Sequence, residues 1–519
     1  MSENIKFKLQ EHVPKIILGG LGLIFGVTYL KGKLIECKER GHLNNLRAKK
    51  QKEREEKLFA LEKKYPSGPE SATIVSLPFE VLVSKLQKRE LSAQQVLEAY
   101  VAKAIAVTRD FNCVTEFVRA CFDQAKDLDS LKSPKGPLHG IPICIKEDHD
   151  VDGMDTTLDC AGYTGVTGIM ASEATTLSAV YRVAVTDATQ NEYDPLTVPI
   201  PWNAQIFESK RPLRIGYYTS LPVFPAMGDT PDTVLKAKTA LEALGHTVVP
   251  FEMPDPWRMV SVFATLATAD GGNMIYKKLK YDEISRAAEK FKLGRSLLSS
   301  LRLKLSSLFI KKLPFSGDPT AQRSEVLWEY LYEQRKIKYE MIDKMKIQKL
   351  DLILAPVFPF PATRIEDSDK FFGGVCYTCI YNLLDFPAGV IPFGIETCSK
   401  IEPLDDQDDY FLKLAKEDDY FLKLAKEGIK SAKGMPIGVQ VIGKPFKEEM
   451  MMDRTNKKEH EPHDGYHRPG SSSISVTLRS APWNCNIVTC HHQIFGSNGS
   501  TWHYTQCAPI KFEKVSVEP

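Results

Sequence analysis

"GPLHGIPICIKEDHDVDG", Gly136 to Gly153, carries an apolar run up to a lysine and then a series of acids. The run "IPICI" predicts a short buried strand that delivers Lys146 at its end. A lysine in that position is ordinarily a solvated surface group. Next to a nucleophile it is a general base, provided that burial favours the neutral amine. Its role therefore depends on partners elsewhere in the chain.

Downstream, "RPLRIGYYTS" predicts a strand, Pro231 to Leu244 a helix ended by Gly245, and "HTVVPFEM" a second strand. "LDLILAPVFPFPA" and "GMPIGVQVIG" read as further buried strands, each with proline or glycine punctuation. Upstream, Ser92 with Gln95 three residues later is a capping box that starts a helix. Strands alternating with helices predict an α/β protein with a largely buried sheet.

The chain has 519 residues, 43% of them hydrophobic, and a net charge of +2. That composition is globular, and the charge gives no reason to expect nucleic acid. Eleven cysteines without a repeating spacing fit reduced thiols in a cytosol-facing protein. Cys376 and Cys379 form a C-x-x-C with no second pair at zinc-like spacing, so packing is their expected role. Cys485, Cys490, His491, His492, His503 and Cys507 match no common metal finger. No metal and no cofactor is expected.

Residues 1–12 read as a tail. Residues 13–31 include the uncharged run "IILGGLGLIFGVTYL", between Lys15 and Lys31, and are expected to anchor the chain in a membrane. Seven Lys/Arg in residues 31–50 against three in residues 1–15 place the bulk on the cytoplasmic side. Residues 32–68 read as a basic juxtamembrane helix. In Gly294 to Phe315, Leu298, Leu301, Leu305 and Leu308 share one helical face among basic residues, which suits either the core or a membrane interface.

"LHGIPICIKEDHDVDGMDTTL" resembles the lysine segment of the amidase-signature hydrolases, in their fatty-acid amide hydrolase branch. "LQKRELSAQQVLEAYVAKA", "NCVTEF", "DPLTVPIPW", "RPLRIGYY", "LEALGHTVVPF", "YNLLDFPAGVIP" and "GMPIGVQVIG" support it, in family order, across residues 69–450. The resemblance implies the amidase-signature α/β fold, a mixed central sheet covered by helices, with a lipid-bilayer partner and a fatty-acid amide substrate of the anandamide or oleamide type. A homodimer is carried as a further expectation. It also implies a relay in which a neutral lysine, here Lys146, draws a proton through a bridging serine from a nucleophilic serine. Val375 and Cys379 fall where it places the wall of a substrate channel.

The family's Gly/Ser-rich segment, source of both serines and of the oxyanion hole, is not found. After "TTLDCAGYTG" the sequence resumes beyond it, with the join at Gly165 to Ile169. "GSSSIS" (Gly470 to Ser475) lacks the glycines that would let backbone amides converge on an oxyanion. Ser172 and Ser178 read as helix-surface residues, and no Gly-x-Ser-x-Gly elbow is present. Several central strands are accordingly expected to be missing, with Ala72–Leu158 and Arg211–Gly443 folding on either side of a defective centre.

"DDYFLKLAKE" occurs at 408–417 and again, identically, at 418–427. One perfect copy reads as a recent duplication or an exon artefact, and not as a solenoid. Residues 451–519 change character and read as an unrelated, peripheral tail. These features leave three functional readings: an impaired fatty-acid amide hydrolase, a membrane-bound protein that binds such amides without chemistry, and an incomplete gene product.

Overall fold

The computed structural model describes residues 3–146, 168–186, 200–270, 323–362, 371–400 and 427–456, with Val151, Met154 and three short strands near the C-terminus; Ser172 and residue 372 are excepted. Up to residue 29 only the backbone path is described. Gly294–Phe315, the segment Gly470 to Ser475 and almost all of the decapeptide duplication lie outside the described residues.

A helical layer comes first: α1 (Glu3–Lys64), α2 (Pro69–Val75), α3 (Phe79–Gln87), α4 (Ala93–Phe111) and α5 (Cys121–Ser130). The Ser92 box caps α4 as expected: Ser92 Oγ accepts the Gln95 N–H at 3.0 Å and Gln95 Oε1 accepts the Ser92 N–H at 2.9 Å. Asp129 adds to it by accepting the N–H groups of Ala93 and Gln94 at 2.7 and 3.0 Å. Arg54 fixes α1 to the end of α4, donating to Asn112 Oδ1 and to the carbonyls of Val114 and Thr115.

The elements expected separately at 13–31 and 32–68 form one continuous helix of 62 residues. No helix of the described residues is long and apolar enough to cross a membrane. Fifteen uncharged residues at 1.5 Å each extend about 22 Å, short of a hydrocarbon core of about 30 Å.

The remaining elements are β1 (Ile169–Ala171), α6 (Ala174–Thr186), α7 (Ala204–Phe207), β2 (Arg214–Tyr217), α8 (Thr230–Ala243), β3 (Thr247–Pro250), α9 (Pro256–Ala267), α10 (Ser324–Ile347), β4 (Leu352–Pro356), α11 (Cys376–Leu384), β5 (Ala388–Ile395), β6 (Pro436–Gly443), α12 (Glu448–Asn456), β7 (Asn486–Thr489), β8 (Gln493–Phe495) and β9 (Thr501–His503). Seven strands form one mixed sheet in the order β1-β7-β5-β6-β4-β2-β3. The pairs β2–β3 and β2–β4 are parallel, and the others are antiparallel.

The β2-α8-β3 unit lies where the sequence puts it. Pro231 occupies the first turn of α8, and Gly245, at φ +85°, turns the chain after it. The His246 N–H then reaches back to Leu241 O at 3.1 Å. All five residues of β4 are buried, as a strand covered on both faces requires. One face of the sheet packs Tyr218, Ile353 and Ala355 against α9, α10 and α11. The other packs Ile215, Leu352, Leu354, Val439 and Val441 against α6, α8 and α12.

Two expectations need correction. "IPICI" forms no strand, and Ile143 in its middle is 53% exposed. Among the described residues it joins no strand ladder, and extended backbone outside a ladder is satisfied by turns and by water. Ser178 is buried, not on the helix surface, and its Oγ donates to Ala174 O at 2.8 Å within α6. Within residues 451–519, β7 pairs with β5 at Ala388↔Thr489 and with β1 at Ile169↔Val488. A bare edge of β5 would leave its N–H and C=O groups unmatched.

Candidate active site

Lys146 closes a segment that is pinned at its start and open at its end. Gly140 sits at φ +77°, and a Cβ there would lie 2.9 Å from Leu86 Cδ2 and 3.0 Å from the Ala93 Cβ. Only glycine lets the chain turn that close to α3 and α4. Gln87 Nε2 donates to Gly136 O at 2.7 Å, and Ile141 packs on the cluster of Ile74, Leu82, Leu86, Val96 and Ala99. His139 is buried there, its Nδ1 accepting the Lys135 N–H at 3.1 Å. Burial, reinforced by the positive charge of Arg89, holds its pKa below the ordinary histidine value. Past Ile141 the chain leaves this support, and Cys144 and Lys146 are exposed.

Val375 and Cys379 belong to another part of the molecule. Val375 is the N-cap of α11 and half-buried, and Cys379 is buried one turn further on. Cys376 and Cys379 are both core residues, packed with Tyr377, Ile380 and Tyr381. Burial pushes the Cys376 thiol up to about 12 and the Cys379 thiol well above its ordinary value. Thiols so far from ionising pack as small apolar groups and do not attack carbonyls. This pair fulfils the packing role read from its spacing.

The hydroxyls beside them are structural. Tyr377 Oη accepts the Leu221 N–H and donates to Phe224 O, both at 2.8 Å. The Tyr218 and Tyr381 hydroxyls lie 2.9 Å apart. Gln440 Nε2 donates to Pro356 O and Tyr377 O at 2.7 Å, closing β6, β4 and α11 around one buried amide.

An aromatic wall stands next to Val375, and sequence reasoning missed it. Phe358, Phe360 and Phe371 pack edge to face, with ring centroids 5.2 and 4.9 Å apart, and Phe224 joins at 5.8 Å. Met227 and Ile429 complete the cluster. Gly374 admits the Phe358 ring, because a Cβ would meet it at 2.5 Å. The available signal was "VFPFPA" directly after a buried strand, where prolines end the ladder and the aromatics are free to pack on one another beyond it.

The amidase family model matches residues 95–166 and 159–452, well over half of the chain. The chain belongs to the amidase family. The fatty-acid amide hydrolase 1 of Sus scrofa is 23% identical, over 74% of this chain and 85% of that protein. That of Caenorhabditis elegans is 25% identical, over 73% of this chain and 87% of the relative. A solved structure of fatty acid amide hydrolase superposes with a TM-score of 0.55 at 17% identity, covering 77% of this chain and 87% of that one. The amidase fold is therefore shared. The family match comes in two pieces that meet at 159–166. The porcine alignment runs over 512 residues while using 74% of this 519-residue chain, about 384 of them. More than a hundred of its positions thus face gaps on this side.

Proposed function

We propose that this amidase-family chain binds fatty-acid amides and hydrolyses them poorly or not at all. The observation that carries the reading is the family match in two pieces meeting at 159–166, the place where the Gly/Ser-rich segment is absent from the sequence. In the relay that the resemblance implies, Lys146 is the base, but a relay without its bridge and nucleophile transfers no proton.

The binding half of the proposal rests on the aromatic wall. A long acyl chain takes an apolar, preformed surface, and the half-buried Phe224, Phe358 and Val375, backed by the buried Phe360 and Phe371, would supply one. The Lys/Arg excess after the uncharged run Ile16–Leu30 favours attachment to a bilayer with the bulk on its cytoplasmic side.

The test uses purified full-length protein, oleamide and a fluorophosphonate probe. The expected result is micromolar binding by calorimetry, weakened at least about tenfold by Phe358→Ala, with neither turnover nor serine labelling. Labelling of a single serine, with turnover abolished by Lys146→Ala, would show a working hydrolase instead. Absence of binding in a folded sample would remove the amide-binding reading.

A further inference from the structure

One end of the sheet gathers positive charge from three segments. Ile215 of β2 lies beside Leu352 of β4, and Leu352 faces Gly443 of β6. Arg211 and Arg214, Asp351 before β4 and Lys444 after β6 therefore share one edge. The C-terminus of α10, with Lys346 and Lys349, joins them where Arg214 Nε donates to Gln348 O at 2.8 Å. Asp351 organises the group: its carboxylate accepts Arg211 Nη1 and Nη2 at 3.1 and 2.7 Å and the Arg214 N–H at 2.9 Å. Lys346 has Asp343 at 3.3 Å, an exposed pair that water screens. Lys346 and Lys349 also suit the negative end of the α10 dipole. Lys444 has no such reason to be there. It precedes α12, whose N-terminal end repels a cation, and it is half-buried. Burial, with Lys346 and Arg211 nearby, holds its pKa below the ordinary lysine value against the pull of Asp351. A cavity of about 150 Å³ opens beside Arg211. Gln205 and Ser209 line it with polar atoms, and Ile206, Leu213 and Met450 with apolar ones.

We propose that this edge binds a phosphate monoester, with the phosphate between Lys444, Lys346 and Arg211 and its carbon stem in the cavity beside Ile206 and Met450. Charge argues for a dianion over a carboxylate. The three cations outnumber Asp351, and a phosphate monoester carries about −1.5 to −2 charges at neutral pH. Such an anion relieves the repulsion among the three and favours the charged form of Lys444. Guanidinium and ammonium groups both donate well to phosphate oxygens. One water needs about 10–15 Å³ of such space, so the cavity admits a stem the size of glycerol. The aromatic wall follows the far end of β4, five residues and roughly 17 Å away at about 3.3 Å per residue. The edge is thus separate from the surface proposed for the acyl chain. The same phosphate chemistry is offered by a free ester and by the headgroup of phosphatidic acid.

The experiment is calorimetry of the full chain with glycerol 3-phosphate at low salt, beside flotation with phosphatidylcholine vesicles that hold or lack phosphatidic acid. Submillimolar binding is expected, weakened by added salt. Lys444→Gln and Lys346→Gln should each weaken it at least about tenfold, since each removes a charge-assisted hydrogen bond. Lys88→Gln, at an exposed position of the helical layer, should leave it unchanged. Lys346 is exposed, so its variant carries the test even if Lys444→Gln does not fold. Binding of glycerol 3-phosphate identifies a free ester as a sufficient ligand. Vesicles captured only with phosphatidic acid and through Lys444 and Lys346, without binding of glycerol 3-phosphate, identify a lipid headgroup. No binding of either in a folded sample would overturn the inference. So would acetate that competes as well as the ester, or binding indifferent to both substitutions. None of these outcomes depends on whether the chain binds or cleaves an amide.

Discussion

Glu396 holds the backbone of Asp229, and Asp229 holds that of Thr397, the residue after Glu396. Glu396 Oε2 accepts the Asp229 N–H at 3.1 Å, and Asp229 Oδ2 accepts the Thr397 N–H at 2.7 Å and the Thr397 hydroxyl. Glu396 Oε1 also accepts the Cys398 N–H at 2.7 Å. The two carboxyls therefore clasp the start of α8 to the end of β5, across 167 residues of sequence.

This clasp gives the first prediction. Glu396 is 0% exposed, and burial, with the neighbouring Asp229 adding to it, raises its pKa above the ordinary 4.5. A group whose folded pKa is raised contributes stability that is fully present below its unfolded value. That contribution is lost as pH rises through the folded value. Thermal melts from pH 4 upward should show the wild type losing this contribution above 4.5, whereas Glu396→Gln, which cannot ionise, loses none. The variant should also start about 1–3 kcal/mol lower, because its amide offers one acceptor where two are needed. Parallel profiles for the two proteins would contradict the argument.

Gly140→Ala tests the turn that launches the Lys146 segment. A methyl group would meet Leu86 and Ala93 at 2.9 and 3.0 Å while the backbone stays at φ +77°. A loss of about 1–3 kcal/mol in urea unfolding is expected from crowding and left-handed strain together. Hydrogen exchange should speed up in α3 and at the start of α4. An unchanged midpoint would mean that the segment is not anchored at Gly140.

Tyr377→Phe removes one hydroxyl and strands two backbone groups, the buried Leu221 N–H and the half-buried Phe224 carbonyl. The cost should be about 2–4 kcal/mol, since each unmatched group carries its own desolvation penalty. Tyr332→Phe, on the exposed face of α10, is the control and should change stability by less than about 0.5 kcal/mol.

Removing the first decapeptide copy, Asp408 to Glu417, should leave the melting temperature nearly unchanged. The chain that carries the copies is closed at its base, where the Glu396 N–H donates to Met435 O at 3.0 Å and the Gly434 N–H donates to Glu396 O at 2.8 Å. Shortening a closed loop by ten residues in about forty alters its closure entropy by only a few tenths of a kcal/mol. A drop of several degrees would show that the second copy has acquired a structural role.

Much of this architecture is legible along the chain because its signals are local. The capping box at Ser92, the stop at Gly245 and the apolar run of β4 each lie within a few residues of the element they define, and each element forms there. "IPICI" carries the same kind of apolar signal without a strand partner, and hydrophobicity alone does not make a ladder. The site was less legible for the same reason. The identity of Lys146 comes from its motif, but its exposure comes from the way Gly140 and Ile141 are held by α3 and α4 and Ile143 is not. Cys379 sits in the core because α11 is packed from both sides, by the sheet and by α10.

The α/β alternation, the main helix boundaries and the place of Lys146 in an amidase motif are therefore written in the chain itself. Periodicity, caps and punctuation are short-range properties that need no partner. The carboxyl clasp of Asp229 and Glu396, the tyrosine pair Tyr218–Tyr381 and the aromatic wall arise only once the chain is folded. Each of these joins or exposes residues through packing across more than a hundred positions or across two layers, and burial of that kind is a property of the assembled molecule.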